Sequence, residues 1–135
     1  MAHNFNPLPA AGDILWCKFP HDEDLGNPGP YPRPGLVLNV FTDLHAVLIT
    51  YGTSQIGKIY DGEFVIDDQL DTAGLGVPTK FDLNRLQKLP FNDVWFHSSP
   101  GVTVTIPLPK MGIIPPTFMP VMRAAWMKRP AKNSC

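Results

Sequence analysis

Pro28-Gly29-Pro30-Tyr31-Pro32-Arg33-Pro34-Gly35-Leu36-Val37-Leu38-Asn39-Val40 is the stretch on which the reading of this chain turns. Prolines at 28, 30, 32 and 34 alternate with other residues, and then an apolar run begins. Each proline fixes its own φ and biases the residue before it toward extended geometry, so the segment enters a strand already stiff. The near-continuous apolar run predicts a strand over Gly35–Val40 that is covered on both faces and central in its sheet. Arg33 sits between two of these prolines, so its backbone has little freedom left to lose. Its guanidinium is a permanently charged, multi-donor fork at the mouth of that strand, which is the chemistry that grips a phosphate or carboxylate. The same residues also describe a proline-rich turn carrying a solvated arginine.

Downstream, Thr42–His45 reads as a turn and Ala46–Tyr51 as the next strand. Gly52 before Thr53 and Ser54 marks a bend that sets two hydroxyls at a strand end; such hydroxyls also commonly bond nearby backbone. Ile56–Gly62, with Lys58, reads as a turn, Glu63–Ile66 as a short strand and Asp67–Val77 as an acidic, then glycine-rich, surface loop. From Thr79 the alternation puts Phe81 and Leu83 inward and Lys80, Asp82 and Asn84 outward. The spacing then lengthens toward Leu86 and Leu89, which predicts a bulge near Asn84–Arg85. Pro90–Gly101 is a loop whose Trp95, Phe96 and His97 make it too aromatic to be wholly exposed. Val102–Ile106 alternates aliphatic residues with threonine and predicts a strand. Pro107–Pro116 is expected to be broken by its prolines and Gly112.

Phe118, Val121, Met122, Ala125 and Trp126 fall on one helical stripe, which predicts a C-terminal helix over Phe118–Arg129. Thr117 is its expected N-cap. Pro120 lies in the first turn, where a missing N–H costs little, and Lys128 and Arg129 suit the carbonyl end of the dipole. A helix with one apolar stripe is suited to closing the open end of a barrel.

Upstream, Met1–Ala11 reads as a loose lead-in and Gly12–Phe19 as the first strand. Leu15, Cys17 and Phe19 share one face of that strand, and Ile14, Trp16 and Lys18 the other. Both faces are partly apolar, so one is expected to meet a partner chain. His21-Asp22-Glu23-Asp24 opens an acidic loop. Bunched adjacent donors without a distant matching ligand are the pattern of a solvated loop, so no metal and no cofactor are expected.

The totals agree with short strands. A length of 135 residues fits a single domain, residues 1–135, and 44% hydrophobic against 17% charged residues marks it as globular. Sixteen prolines and eleven glycines cut the chain into pieces that favour a small β-barrel over a helical bundle. A net charge of −1 carries no bulk nucleic-acid signature, so any such binding needs a local basic face. The N-terminus lacks a signal-peptide pattern and no run is long enough for a transmembrane span. Two cysteines make no disulfide framework, and the expected location is cytoplasmic.

Four short motifs occur in order. Gly12-Asp-Ile-Leu-Trp16 opens the chain, Arg33-Pro-Gly-Leu-Val-Leu38 follows, a strand ends at Thr53-Ser54, and Gly74-Leu-Gly-Val-Pro-Thr79 comes later. Together they resemble the MazF/PemK family of toxin–antitoxin toxins, over about Gly12 to Leu89. The resemblance implies an SH3-like β-barrel with a C-terminal helix and a two-fold homodimer. It implies a growth-inhibiting hydrolase, an endoribonuclease that cuts single-stranded RNA without metal and is silenced by a cognate antitoxin. It assigns the catalytic positions to Arg33 and Thr53. Some family members place an arginine and an aspartate two apart in the strand after the Pro-Thr; Asp82 and Asn84 stand there in this chain, with Lys80 and Arg85 on either side. Ser54, Lys18, Lys80, Asp82, Asn84 and His21 are the candidate substrate-binding residues. His21 and His97 are the candidate neutral-pH bases. A reading from another class keeps the barrel as a non-catalytic module that binds protein or nucleic acid through Arg33 or the Trp16 and Trp95 surface.

Overall fold

The computed structural model describes residues 2–21, 24–98 and 107–130. The strand expected over Val102–Ile106, and Asp22 and Glu23 of the acidic loop, lie outside them. The described elements are β1 (Asp13–Cys17), β2 (Arg33–Phe41), β3 (Ala46–Thr53), β4 (Glu63–Ile66), α1 (Leu70–Ala73), β5 (Thr79–Asp82), β6 (Gln87–Pro90), β7 (Lys110–Ile113) and α2 (Met119–Met127). A 3-10 turn, Pro116–Phe118, leads into α2.

The protein is mainly β. Its described strands run antiparallel to their neighbours in the order β4-β5-β3-β2-β1-β7, with β6 also on β3. The sheet curls into a half-barrel because β3 serves two partners. Ala46–Ile49 pair with β6, while Gly52 and Thr53 pair with β5. Gly52 permits the crossing: a Cβ there would come within 2.5 Å of the Thr79 side chain and 2.8 Å of the Phe81 ring. Thr50, fully buried beside it, donates its hydroxyl to the Asp82 carbonyl.

Curling divides the core in two. Ile14 and Leu36 join Phe64, Ile66, Phe81, Leu83 and Ile114 on one side. Leu15, Cys17 and Val37 join Ile49, Leu89, Phe91 and Phe96 on the other. β1 and β2 are therefore buried on both faces, as the apolar run of β2 predicts. On β1 this chain covers Ile14 on one face and Leu15 and Cys17 on the other, and leaves Trp16 partly exposed.

Several expectations are corrected. β2 starts at Arg33, since Cys17 pairs with Arg33 and Trp16 with Pro34. The loop expected over Asp67–Val77 contains α1, which buries Ala73, and Leu75 just beyond it is buried as well. The bulge near Asn84–Arg85 is instead a turn between β5 and β6, where Arg85 N–H bonds the Asp82 carbonyl at 3.1 Å. The broken segment Pro107–Pro116 contains β7, paired with β1. Lys110 Nζ lies 3.3 Å from the buried Asp13 carboxylate and ties the two strands together. The lead-in is anchored: Phe5 N–H bonds the Phe91 carbonyl at 3.1 Å, and His45 meets the Phe5 carbonyl at 2.8 Å. Phe5 and Leu8 pack on the second core.

The C-terminal helix is present, with its stripe rotated. Phe118 and Ala125 are buried and Met119 and Met122 pack beside them, whereas Val121 and Trp126 are 42% and 40% exposed. No side chain caps α2, and the Thr117 hydroxyl accepts a hydrogen bond from Gln69 Nε2 instead.

Candidate functional site

Arg33 and Thr53 stand at the same end of the paired strands β2 and β3. Gly35, two residues after Arg33, lies opposite Tyr51, two residues before Thr53. Both side chains border the same two depressions. Arg33 is exposed and has no hydrogen-bond or ion-pair partner among the described residues. Thr53 Oγ1 accepts the Gln55 N–H at 3.2 Å, the local turn that a Gly-Thr-Ser sequence favours. That contact occupies a lone pair and leaves the hydroxyl hydrogen available to donate.

Three depressions meet at Thr53. The first, about 390 Å³, has an apolar wall of Trp16, Pro34, Leu75, Val77 and Met111 with Arg33 and Ser54 at its rim. The second, about 660 Å³, is polar and holds Tyr60, Glu63, Lys80, Asp82, Asn84 and Arg85. The third, about 280 Å³, brings His21, Phe19, Tyr51 and Arg85 around Arg33 and Thr53. A cleft with a guanidinium that has no carboxylate partner among the described residues, a hydroxyl proton and an imidazole is equipped to hold an oxyanion and exchange a proton beside it.

The other candidate residues divide. Ser54 and His21 join Arg33 and Thr53 directly. Lys80 borders the second depression with its charge already engaged. Its Nζ lies 3.2 Å from Glu63 Oε1 and donates to the Lys58 carbonyl at 2.9 Å. Asp82 lies 3.5 Å from Arg85 Nε and accepts the Asn84 N–H at 2.9 Å. Asn84 donates Nδ2 to the Asp61 carbonyl at 2.9 Å and packs on Gly62, so it holds the turn before β4. Lys18 borders none of the three depressions, and neither does His97, whose Nδ1 meets the Ser98 carbonyl at 3.0 Å.

Charge in the cleft is therefore uneven. Lys80 and Arg85 face carboxylates, while among the described residues Arg33 faces none, which leaves Arg33 as the stronger draw for an anion. Burial pushes the Cys17 thiol far up, so it is no nucleophile. Among the described residues, no three His, Cys, Asp or Glu side chains gather as a metal-ligand set, and no helix is long and apolar enough to cross a membrane.

Residue reasoning singled out neither Met111 nor Tyr60 as lining this cleft. Met111 was hidden because β7 lies in a stretch that reads as broken by proline. It meets the cleft because Gly74, at φ +70°, lets the loop 74–77 run against β7; a Cβ on Gly74 would strike the Met111 carbonyl oxygen. Tyr60 stands in a turn with no periodicity to mark it. No family model and no curated protein sequence matches this chain.

Proposed function

We propose that this protein is an endoribonuclease of the MazF/PemK toxin type, with an SH3-like barrel, that cuts single-stranded RNA using its own side chains. The observation that carries the reading is the meeting of Arg33, unpartnered among the described residues, with Thr53 and His21 around one cleft. RNA brings its own nucleophile. Removal of the 2′-OH proton lets that oxygen attack the adjacent phosphorus, and the P–O5′ bond breaks as the 5′ oxygen takes up a proton. The products are a 2′,3′-cyclic phosphate and a 5′-OH end, with no net oxidation or reduction. Arg33 neutralises the charge that grows on the non-bridging oxygens, and Thr53 donates to one of them. His21 is the side chain of this depression whose imidazole can take up a proton and return it.

The family resemblance carries two further proposals. A cognate antitoxin segment, disordered until bound, lays acidic and apolar side chains over Arg33 and so competes with RNA. Two copies form a two-fold dimer. Both rest on the resemblance alone.

The second reading, a non-catalytic barrel that binds a partner, is favoured by one observation. Two cations of the cleft, Lys80 and Arg85, are already paired with Glu63 and Asp82, which lowers the pull on a polyanion. Incubation with a varied RNA pool in EDTA separates the two. The ribonuclease reading expects cleavage with cyclic phosphate ends. Intact RNA from a folded protein leaves the binding barrel.

A further inference from the structure

Trp16 is the one position of β1 that is not buried. Its neighbours Leu15 and Cys17 are fully enclosed, yet the indole belongs to neither core. It stacks on no ring and on no cation among the described residues. A large apolar side chain in mid-strand ordinarily goes to the core. Here its backbone is tied on both sides, with N–H to the Pro109 carbonyl at 2.8 Å and carbonyl to the His97 N–H at 3.0 Å, while its ring forms a wall of the 390 Å³ depression. Trp16 pairs with Pro34, so it sits one residue from Arg33 on the neighbouring strand. Across the depression stand Val77, which is 52% exposed, and Met111.

We propose that Trp16 is the stacking platform for one nucleobase of a single strand whose adjacent phosphate lies at Arg33. The inference rests on the ribonuclease reading for the identity of the strand, and it adds a binding subsite that this reading does not contain. Three features choose a base over another apolar group. The platform is a rigid indole of a residue that lines an open depression and stacks on no ring or cation among the described residues. The cavity volume lies within the roughly 300–1,000 Å³ of small-ligand sites. Arg33, which has no carboxylate partner among the described residues, lines the cavity together with Thr53 and Ser54, where a polyanionic backbone would run. Stacking on an aromatic ring tolerates every base, so Trp16 supplies affinity and register, and the rim groups would supply any choice between bases.

Binding of fluorescent single-stranded oligodeoxynucleotides tests this without chemistry, because DNA lacks the 2′-OH nucleophile. Strands of equal length with bases and without bases (abasic) are compared on the full chain. The wild type should prefer the base-bearing strand by about tenfold, the scale for one stacked base. Trp16→Ala should bring the two strands close together, and Trp16→Phe should keep most of the preference. A second measurement does not depend on how Trp16→Ala folds. In a Trp95→Phe/Trp126→Phe protein the remaining emission comes from Trp16, and base-bearing strands should quench it while abasic strands should not.

Equal binding of the two strands by the wild type, binding of neither strand, or an unquenched Trp16 overturns the platform. If a proline-rich peptide quenches Trp16 and nucleic acid does not, the cavity is a peptide site and the proposal is equally wrong. RNA cleavage measured on the same proteins separates the two inferences. Base-dependent binding without cleavage keeps the platform and discards the ribonuclease. Cleavage with no base dependence does the reverse.

Discussion

The Asp82 carboxylate lies 3.5 Å from Nε of Arg85, which also borders the depression that Arg33 and Thr53 share. A cation that would otherwise face an incoming phosphate is thereby held by a carboxylate of its own chain. Asp82→Asn keeps an acceptor for the Asn84 N–H and removes the negative charge. Affinity for single-stranded RNA should rise roughly three- to tenfold at low salt, about what one screened charge at close range supplies. The dependence of log K on log salt should steepen by up to about 0.7, the slope for one more phosphate contact on a single strand. Fluorescence anisotropy over a salt series reads both, and an unchanged slope would mean that Arg85 does not reach the strand.

Lys80 should behave in the opposite way. Its ammonium and the Glu63 carboxylate are 13% and 10% exposed, and the pair joins β5 to β4. Lys80→Met leaves Glu63 nearly enclosed without its cation, a change of about 1–3 kcal/mol in stability. The melting temperature should fall by several degrees while oligonucleotide affinity at a temperature where both proteins are folded changes less than twofold. A large loss of affinity with no loss of stability would return Lys80 to the strand-binding set.

Gly74 tests how the apolar wall is built. It holds φ +70° as the cap of α1 and lies against the Met111 carbonyl oxygen. Gly74→Ala carries both a left-handed backbone penalty and a collision, so a loss of about 2 kcal/mol or more is expected. Because loop 74–77 and β7 together wall the cavity, the variant should also weaken base-dependent binding more than binding of abasic strands. Urea unfolding and the two-strand comparison check these in turn. Full stability would show that the loop relaxes freely.

How far the residues alone predict this arrangement depends on the length of each pattern. β2 was legible because its apolar run is long and sharply bounded by proline, and Glu63–Ile66 because Phe64, Val65 and Ile66 form a short apolar run between a turn and an acidic loop. α1 was not, since Leu70–Ala73 is a single turn between acidic residues and glycines, too short for a helical period to appear. β7 was concealed because Pro107 and Pro109 precede the strand rather than interrupt it, and Pro109 still offers its carbonyl to Trp16. The lengthened spacing after Leu83 signals a departure from strand geometry without revealing whether it is a bulge or a turn. For the site, the proline-flanked Arg33 and the Gly-Thr-Ser bend marked two residues worth pairing. Their common cleft, and the place of Trp16 in it, needed the long-range pairings β1·β2 and β1·β7, which no local pattern encodes.

Arg33 and Thr53 make the sharpest prediction, because they face one cleft from neighbouring strands and should act on one phosphate. Arg33→Ala should lower RNA cleavage by about a hundredfold or more, the scale for losing one transition-state donor. Thr53→Ala should cost less, since a neutral hydrogen bond is weaker than a charge-assisted one. Arg33→Lys should recover only part of the rate, because an ammonium cannot reproduce the planar fork. Both alanine variants should melt within a few degrees of the wild type, since Arg33 supports no other side chain among the described residues and Thr53 only the Gln55 N–H. If both groups hold the same phosphoryl oxygens, the double variant should lose less than the product of the single losses, with a coupling of about 0.5–3 kcal/mol. Single-turnover cleavage of one defined RNA measures the four variants against the wild type. A double variant that loses the full product would place the two side chains on different steps or different phosphates. Cleavage that survives Arg33→Ala would keep the enzyme and move its site elsewhere.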